Sequence, residues 1–335
     1  MAGLGQALPW PVGRDRSPPG RRSQVPLDPQ VSRFLDRLAV AAPRGAGGLS
    51  LAERRASIER LAALGGEPEP VARIEKRSIP GPAGTLRIWT YTPAGARMGL
   101  LPGLIYFHGG GFVAGSLDTH DGICRSLANA SGCRLVSVDY RLGPEARFPA
   151  AVEDACAATR WIAGHASQLG IDERRLGVCG DSAGATLAAV VAQTMAAAGQ
   201  PRLALQFLLC PILDYRAETA SWEAFGSGHF LDRETIEHDL RHYLDGHAEP
   251  GDPRISPLRA ERLEGLPPAC IHTAEYDPLR DEGAQYAARL EKAGVAASYR
   301  CHSGMIHLFY ALGAVIPYGA EAYRQMGADI RALLD

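Results

Sequence analysis

The sequence predicts an α/β protein, a mostly parallel eight-stranded sheet with helices on both faces and a helical cap. Three observations predict it. Eight short β-rich runs, at 71–79, 85–92, 103–107, 134–139, 175–179, 203–210, 269–274 and 297–301, alternate with helical patterns at 149–168, 183–198, 279–293 and 318–334. Runs such as Leu104-Ile105-Tyr106-Phe107 and Leu205-Gln206-Phe207-Leu208-Leu209 are mostly apolar on both faces, as strands sandwiched between helix layers are. Two helical stretches, 28–64 and 214–262, interrupt the alternation and are candidates for a cap over the sheet's carboxyl edge, where open α/β sheets bind ligands.

Taken in order, residues 1–25 read as a disordered leader. Pro9, Pro11, Pro18, Pro19, Arg14, Arg16, Arg21 and Arg22 break any apolar core a secretory signal would need. Val31, Phe34, Leu35 and Leu38 then fall at i, i+3, i+4, i+7, and Leu51, Ile58 and Leu61 mark a second helix. Pro43, Gly45, Gly47 and Gly48 separate the two, and the stretch from Gly65 to Pro70 closes the region. In the second interruption His229 to Leu244 is amphipathic, followed by a linker with Pro250, Pro253 and Pro257. The reading divides the chain into a leader at 1–25, cap helices at 26–68, a catalytic body at 69–213 and 263–335, and a second cap segment at 214–262.

Composition narrows the function. The 335 residues carry 35 Lys and Arg against 37 Asp and Glu, a net charge of −2 that offers nucleic acid or an anionic membrane no electrostatic attraction. The most apolar helical stretch, Thr186 to Ala198, is short and interrupted by Gln193, so no membrane span is expected. Seven cysteines form no C-x-x-C pair, and several sit inside apolar runs, which fits a reducing cytoplasm.

The chemistry-bearing residues come in a fixed order. Gly180-Asp181-Ser182-Ala183-Gly184 lies between a strand run and a helix. Chance alone gives on the order of 0.2 such pentapeptides in a chain of this composition, so the placement carries the weight, not the pattern. A strand–turn–helix with Ser at its apex lifts Oγ above the sheet, and the flanking glycines let neighbouring backbone pass close. His108-Gly109-Gly110-Gly111-Phe112 ends another buried strand; three glycines let backbone N–H groups converge on a developing anion. A phosphate loop is disfavoured, since neither G-x-x-x-x-G-K-[ST] nor G-x-G-x-x-G occurs.

A serine nucleophile needs an imidazole base, and the base needs a carboxylate. Asp277, in a loop leading into a helix, is preferred over Glu275, which is too near the strand end, and over Asp281, a turn into the helix. His307 is preferred over His302 because it lies in the loop after the last strand, beyond Ser303-Gly304-Met305-Ile306, which can bend back toward Ser182. His238 and His242 stand at i, i+4, a spacing that could hold a metal, but no third ligand accompanies them and a solvated cap helix is the expectation.

With these pieces in order, the sequence resembles the hormone-sensitive lipase family of α/β-hydrolases, especially its bacterial esterases of the G-D-S-A-G type. The resemblance covers roughly 27–334. It extends to Leu27-Asp28-Pro29-Gln30-Val31, Asp139-Tyr140-Arg141-Leu142-Gly143-Pro144-Glu145, Phe148-Pro149-Ala150, Asp252-Pro253-Arg254, Ser256-Pro257-Leu258 and the run from Glu275 through Gly283. It implies Ser182 as nucleophile, Asp277 as acid, His307 as base, and an oxyanion hole from the backbone N–H groups of Gly110, Gly111 and Ala183. The family usually has Gly after the base; Leu308 stands there and narrows the pocket. Short- to medium-chain acyl esters are the implied substrates, with no metal or organic cofactor and with dimerisation through the last strand and helix. Phe34, Phe230, Leu231, Ile306, Leu308 and Phe309 are candidate pocket linings. The competing functions are hydrolysis of another acyl bond (an acetylated sugar, lactone, aryl amide or carbamate), a dehydratase, and a receptor that has lost its base.

Overall fold

The computed structural model describes residues 25–41, 49–244, 246 and 248–334. The leader therefore lies almost wholly outside the described residues, as does the break at Pro43 to Gly48.

Strands β1 (Arg73–Gly81), β2 (Gly84–Thr92), β3 (Leu101–Phe107), β4 (Arg134–Asp139), β5 (Ile171–Asp181), β6 (Leu205–Leu209), β7 (Ala269–Tyr276) and β8 (Ala297–Ile306) form one sheet. Its order is β1-β2-β4-β3-β5-β6-β7-β8. The β1–β2 hairpin is antiparallel and β2 runs antiparallel to β4; every other pairing is parallel.

Alternation along each strand splits the core into two. In β3, Ile105 and Phe107 face one apolar cluster with helices α4 (Ala150–Gly164), α5 (Ala183–Ala198) and α8 (Arg280–Lys292). Leu104 and Tyr106 face the other, with α3 (Asp121–Ser131) and α9 (Tyr318–Leu334). Successive side chains of a strand point to opposite faces, so a strand apolar at every position is what two helical layers require. Helix α3 carries Ile123, Cys124, Leu127 and Ala128 inward and ends at Gly132 in the left-handed conformation (φ 71°); the sequence pattern had not marked it.

The interruption at 28–64 holds α1 (Pro29–Ala41) and α2 (Leu51–Ala62). Ser50 caps α2: its Oγ accepts from the Glu53 amide while the Glu53 carboxylate accepts from the Ser50 amide, a reciprocal pair that fixes where the helix starts. The 214–262 stretch holds the short α6 (Ala220–Phe225) and α7 (Arg233–Tyr243). Its entry is tied to α8 by the buried Glu282 carboxylate, which accepts from the amides of Leu213 and Asp214 and from the Trp222 indole. Burial pushes Glu282 up to about 8 in spite of those three donors.

Strand β8 runs further than the sequence suggested. Ser303 to Ile306 belongs to it, through a register irregularity beside Ala274 and Tyr276. The irregular turn is pinned by the Gly304 amide donating to Glu275 Oε2 at 2.8 Å. It is also stapled to the first described residues: the Asp28 amide donates to Gly304 O at 3.1 Å, and the Tyr276 hydroxyl donates to Val25 O at 2.7 Å. Among the described residues no helix is long and apolar enough to cross a membrane.

Candidate active site

Six parallel strands deliver their C-terminal ends to one edge, and the candidate residues sit just past them. Ser182 links β5 directly to α5 with φ 52° and ψ −122°, a conformation an L-residue holds only when its surroundings enforce it. The enforcement is visible. The Ser182 amide donates to Leu209 O at 2.9 Å, and its carbonyl accepts from Ala185 and Thr186. A Cβ at Gly184 would lie 2.0 Å from Phe107 O, so only glycine lets α5 pass this close to β3.

The three side chains form a hydrogen-bonded line. His307 Nε2 lies 3.1 Å from Ser182 Oγ, and His307 Nδ1 lies 2.7 Å from Asp277 Oδ2. The other oxygen, Asp277 Oδ1, accepts from the Leu279 amide at 2.9 Å. Both Asp277 and His307 are buried. The rival acids have other work: Glu275 holds the Gly304 turn, and Asp281 accepts from the Ser221 amide and pairs with Arg280. His302 is also engaged elsewhere, between His272 Nδ1 and the Tyr318 hydroxyl, 3.0 Å from each.

Opposite Ser182, the loop after β3 turns through positive φ at Gly110, Gly111 and Phe112 (118°, 65° and 65°). The Gly110 carbonyl accepts from the amides of Val113 and Ala114, closing a tight turn, whereas the Gly110 and Gly111 amides meet no protein acceptor among the described residues. Ala183 is the first residue of α5, where a helix leaves its amides without intrahelical partners and its dipole favours negative charge.

Beneath the loop is a buried carboxylate that the motif reading quoted without giving it a role. Asp181 is fully buried and accepts from the Gly109 amide at 2.9 Å and from the Tyr106 hydroxyl, with His120 Nε2 at 3.7 Å. Burial opposes its ionisation, but attraction to His120 and the hydrogen bond from Tyr106 outweigh it and hold the carboxyl below its usual range. A charged residue immediately before the candidate nucleophile, on a strand otherwise apolar at its end, is the signal that could have marked it.

The candidate lining residues separate into two groups. Phe34 of α1 and Phe230 meet with ring centroids 5.8 Å apart, bringing the two interrupting segments together, and Leu231 and Leu308 are half-buried. Ile306 and Phe309 have no exposed surface; they pack with Met305, Tyr310 and Leu312 in the core, so they line no open pocket in this structure. Leu308 adopts φ 61° and ψ 13°, the left-handed conformation for which glycine is suited. His238 also departs from expectation. It is buried rather than solvated, with Nδ1 3.2 Å from Asp239 Oδ1, and His242 Nδ1 lies 2.9 Å from its own helix at His238 O.

Among the described residues, two clusters have donors close enough to share an ion. Cys210, Asp277 and His307 form one, but it is the hydrogen-bonded line itself, and burial holds the Cys210 thiol protonated. Cys270, His272 and Asp329 form the other, where the Asp329 carboxylate is already taken by His272 and the Arg300 guanidinium.

A protein-family profile described as the α/β hydrolase fold matches residues 104–311, more than half of the chain. The chain belongs to the α/β-hydrolase family. This hydrolase is 39% identical over 344 aligned residues to the carboxylic ester hydrolase LipN of Mycobacterium tuberculosis, covering 98% of this chain and 90% of that one. It is 37% identical to the ethyl acetate hydrolase of Pseudomonas putida, covering 88% and 95%. Among solved structures, an ester hydrolase from the metagenome of Lake Arreo, bound to a bipyridine phosphonate derivative, superposes with a TM-score of 0.88 at 41% identity, covering 91% and 98%. The resemblance to the esterases of the hormone-sensitive lipase family therefore holds for this hydrolase across most of its length.

Proposed function

We propose that this hydrolase is a serine carboxylesterase for short- to medium-chain acyl esters, with Ser182 as nucleophile, His307 as general base and Asp277 as the carboxylate that orients it. The observation that carries the reading is the unbroken line Ser182–His307–Asp277, with separations of 3.1 and 2.7 Å, facing a glycine turn with unengaged amides. His307 takes the Ser182 proton as Oγ attacks the ester carbonyl. The tetrahedral oxyanion settles on the amides of Gly110, Gly111 and Ala183, and His307 returns the proton to the departing alcohol. Water, activated by the same imidazole, then releases the acid from the acyl-enzyme. Asp277 fixes the His307 tautomer and stabilises the imidazolium.

The segments 26–68 and 214–262 act as the cap, with Phe34 and Phe230 joining their apolar sides. The preference for small acyl groups is supported by one relative, an ethyl acetate hydrolase, and by Leu308, whose side chain replaces the usual glycine beside the base. The scattered, mostly buried cysteines support work in a reducing cytoplasm.

A series of p-nitrophenyl esters from acetate to palmitate, run on wild type and Ser182→Ala, tests the reading. Turnover is expected to peak at about four to eight carbons and to fall by about four to six orders of magnitude in the variant. Full activity in Ser182→Ala refutes the nucleophile. Poor turnover of every ester, beside fast turnover of an acetylated sugar, lactone or aryl amide, refutes the substrate class.

A further inference from the structure

We infer that Arg54 and Arg55, consecutive residues of cap helix α2, are positioning residues for the oxyanion turn, so that the cap is a working part of the catalytic apparatus as well as a pocket wall. The inference rests on the esterase reading for what the turn does, but the contacts stand by themselves. Consecutive helical residues point about 100° apart, and this pair reaches two different sides of the same loop.

Arg54 is buried, with Nε 3.2 and 3.1 Å from the two carboxylate oxygens of Asp239 on α7 and Nη2 2.8 Å from Oδ2. That carboxylate rests on Gly111. A Cβ placed on Gly111 would lie 2.1 Å from Asp239 Oδ2 and 2.7 Å from Asp239 Cβ, so nothing larger than an α-hydrogen fits between the ion pair and the turn. Arg55 grips further along. Its Nε donates to Val113 O at 2.8 Å and its Nη2 to Gly143 O at 3.0 Å. Glu145 accepts from both terminal nitrogens at 2.7 and 2.6 Å and so locks the guanidinium plane. The Gly143 amide in turn donates to Phe112 O at 2.8 Å. The Phe112 ring stacks on Tyr243 of α7, centroids 4.2 Å apart.

Three consecutive positive-φ residues with two glycines among them have little intrinsic rigidity. From below, the turn is held by Gly109 on Asp181. From above, residues 111, 112 and 113 are each held by a contact that leads back to α2 or α7. Removing the upper grip therefore loosens the amides that meet the oxyanion, while the bound ester, which relies on the apolar walls, is little affected. The signature is a loss in kcat with KM retained.

Arg55→Met is the leading variant, because Arg55 is only half-buried and its loss strands no buried charge. Arg60→Met, which removes the same charge from an exposed position of α2, is the control. With p-nitrophenyl acetate and butyrate, Arg55→Met is expected to lower kcat about 10- to 100-fold with KM within about threefold, and to weaken a trifluoromethyl ketone, whose tetrahedral adduct carries the same charge, by a matching factor. Hydrogen exchange of peptides covering 108–115 is expected to quicken in Arg55→Met and not in Arg60→Met. Arg55→Lys, which can still reach one carbonyl, is expected to recover part of kcat. Unchanged kcat together with unchanged exchange overturns the inference; so does a raised KM at constant kcat, which would make Arg55 a pocket wall only. The exchange measurement needs no substrate, so it decides the matter even if wild type turns over no ester, the outcome that would sink the esterase reading alone. Arg54→Met is read in the same way where it folds.

Discussion

Gly184→Ala puts one methyl group where the structure has no room. The added carbon would sit 2.0 Å from Phe107 O and 2.5 Å from His108 O. Neither carbonyl can retreat: Phe107 is paired to β4 on one side and β5 on the other, and His108 O accepts the Tyr140 hydroxyl at 2.6 Å. Helix α5 must therefore move by about 1 Å to restore even the shortest tolerable contact. Overpacking of this kind costs about 1–3 kcal/mol or more, and α5 is enclosed on nearly every side. The same movement displaces Ser182 and the Ala183 amide relative to His307, and a 1 Å misplacement costs about 10²-fold in rate. Urea unfolding gives the stability change, and the p-nitrophenol burst from a stopped-flow acylation gives the chemical step. Gly122→Ala, in the first turn of α3 with nothing within 4 Å of the new carbon, is the matched control and is expected to be neutral or to gain up to about 1 kcal/mol. A Gly184→Ala protein with wild-type midpoint and wild-type burst rate would show that the close approach of α5 to β3 does not set the nucleophile's position.

Leu308→Gly relieves a left-handed residue worth about 1–2 kcal/mol of strain but gives up a half-buried side chain, so the net stability change is expected within about 1 kcal/mol. Its kcat/KM ratio for branched over linear acyl esters should rise severalfold; a falling ratio would mean that Leu308 does not narrow the pocket. Asp277→Asn is expected to fold and to lose about 10³–10⁴ in kcat at neutral pH, as removal of the tautomer-fixing charge does; circular dichroism and steady-state kinetics check both halves. Burial, with His272 and Arg300 nearby, holds His302 down at about 2. Because its folded value lies below the unfolded value of about 6.5, the unfolded chain binds more protons between the two, and the stability it contributes above pH 6.5 is lost as the pH falls. Thermal melts between pH 4 and 7 should show a flatter slope in His302→Gln than in wild type, and identical slopes would remove His302 from the acid response.

Local chemistry in the sequence reached most of the sheet and the motif-bearing turns. A strand buried on both faces is apolar at nearly every position, and that is why β3 and β6 were legible. The elbow and the glycine turn were legible because each needs residues without side chains at fixed offsets from a strand end. What escaped depends on distant partners. Helix α3 has ordinary propensities and shows its inner face only once α9 is packed against it. Asp181 was in view within the pentapeptide, yet its role comes from the Gly109 amide, 72 positions earlier. Ile306 and Phe309 were candidate linings, but strand β8 extends through Ile306 and the helical turn from Phe309 to Ala311 follows it, and both side chains pack into the core. Arg54 and Arg55 carried no signal in the sequence, because only the docking of α2 above the turn brings them to Asp239 and to Val113 O.

The staple between Val25–Asp28 and the Gly304 turn joins the earliest described backbone to the stretch just before His307. During synthesis the two halves of that joint leave the ribosome nearly three hundred codons apart. A nascent chain interrupted between Ser182 and His307 carries the elbow without the imidazole that pairs with it. The joint and the Ser182–His307 pairing therefore close only after both distant stretches of chain have been made.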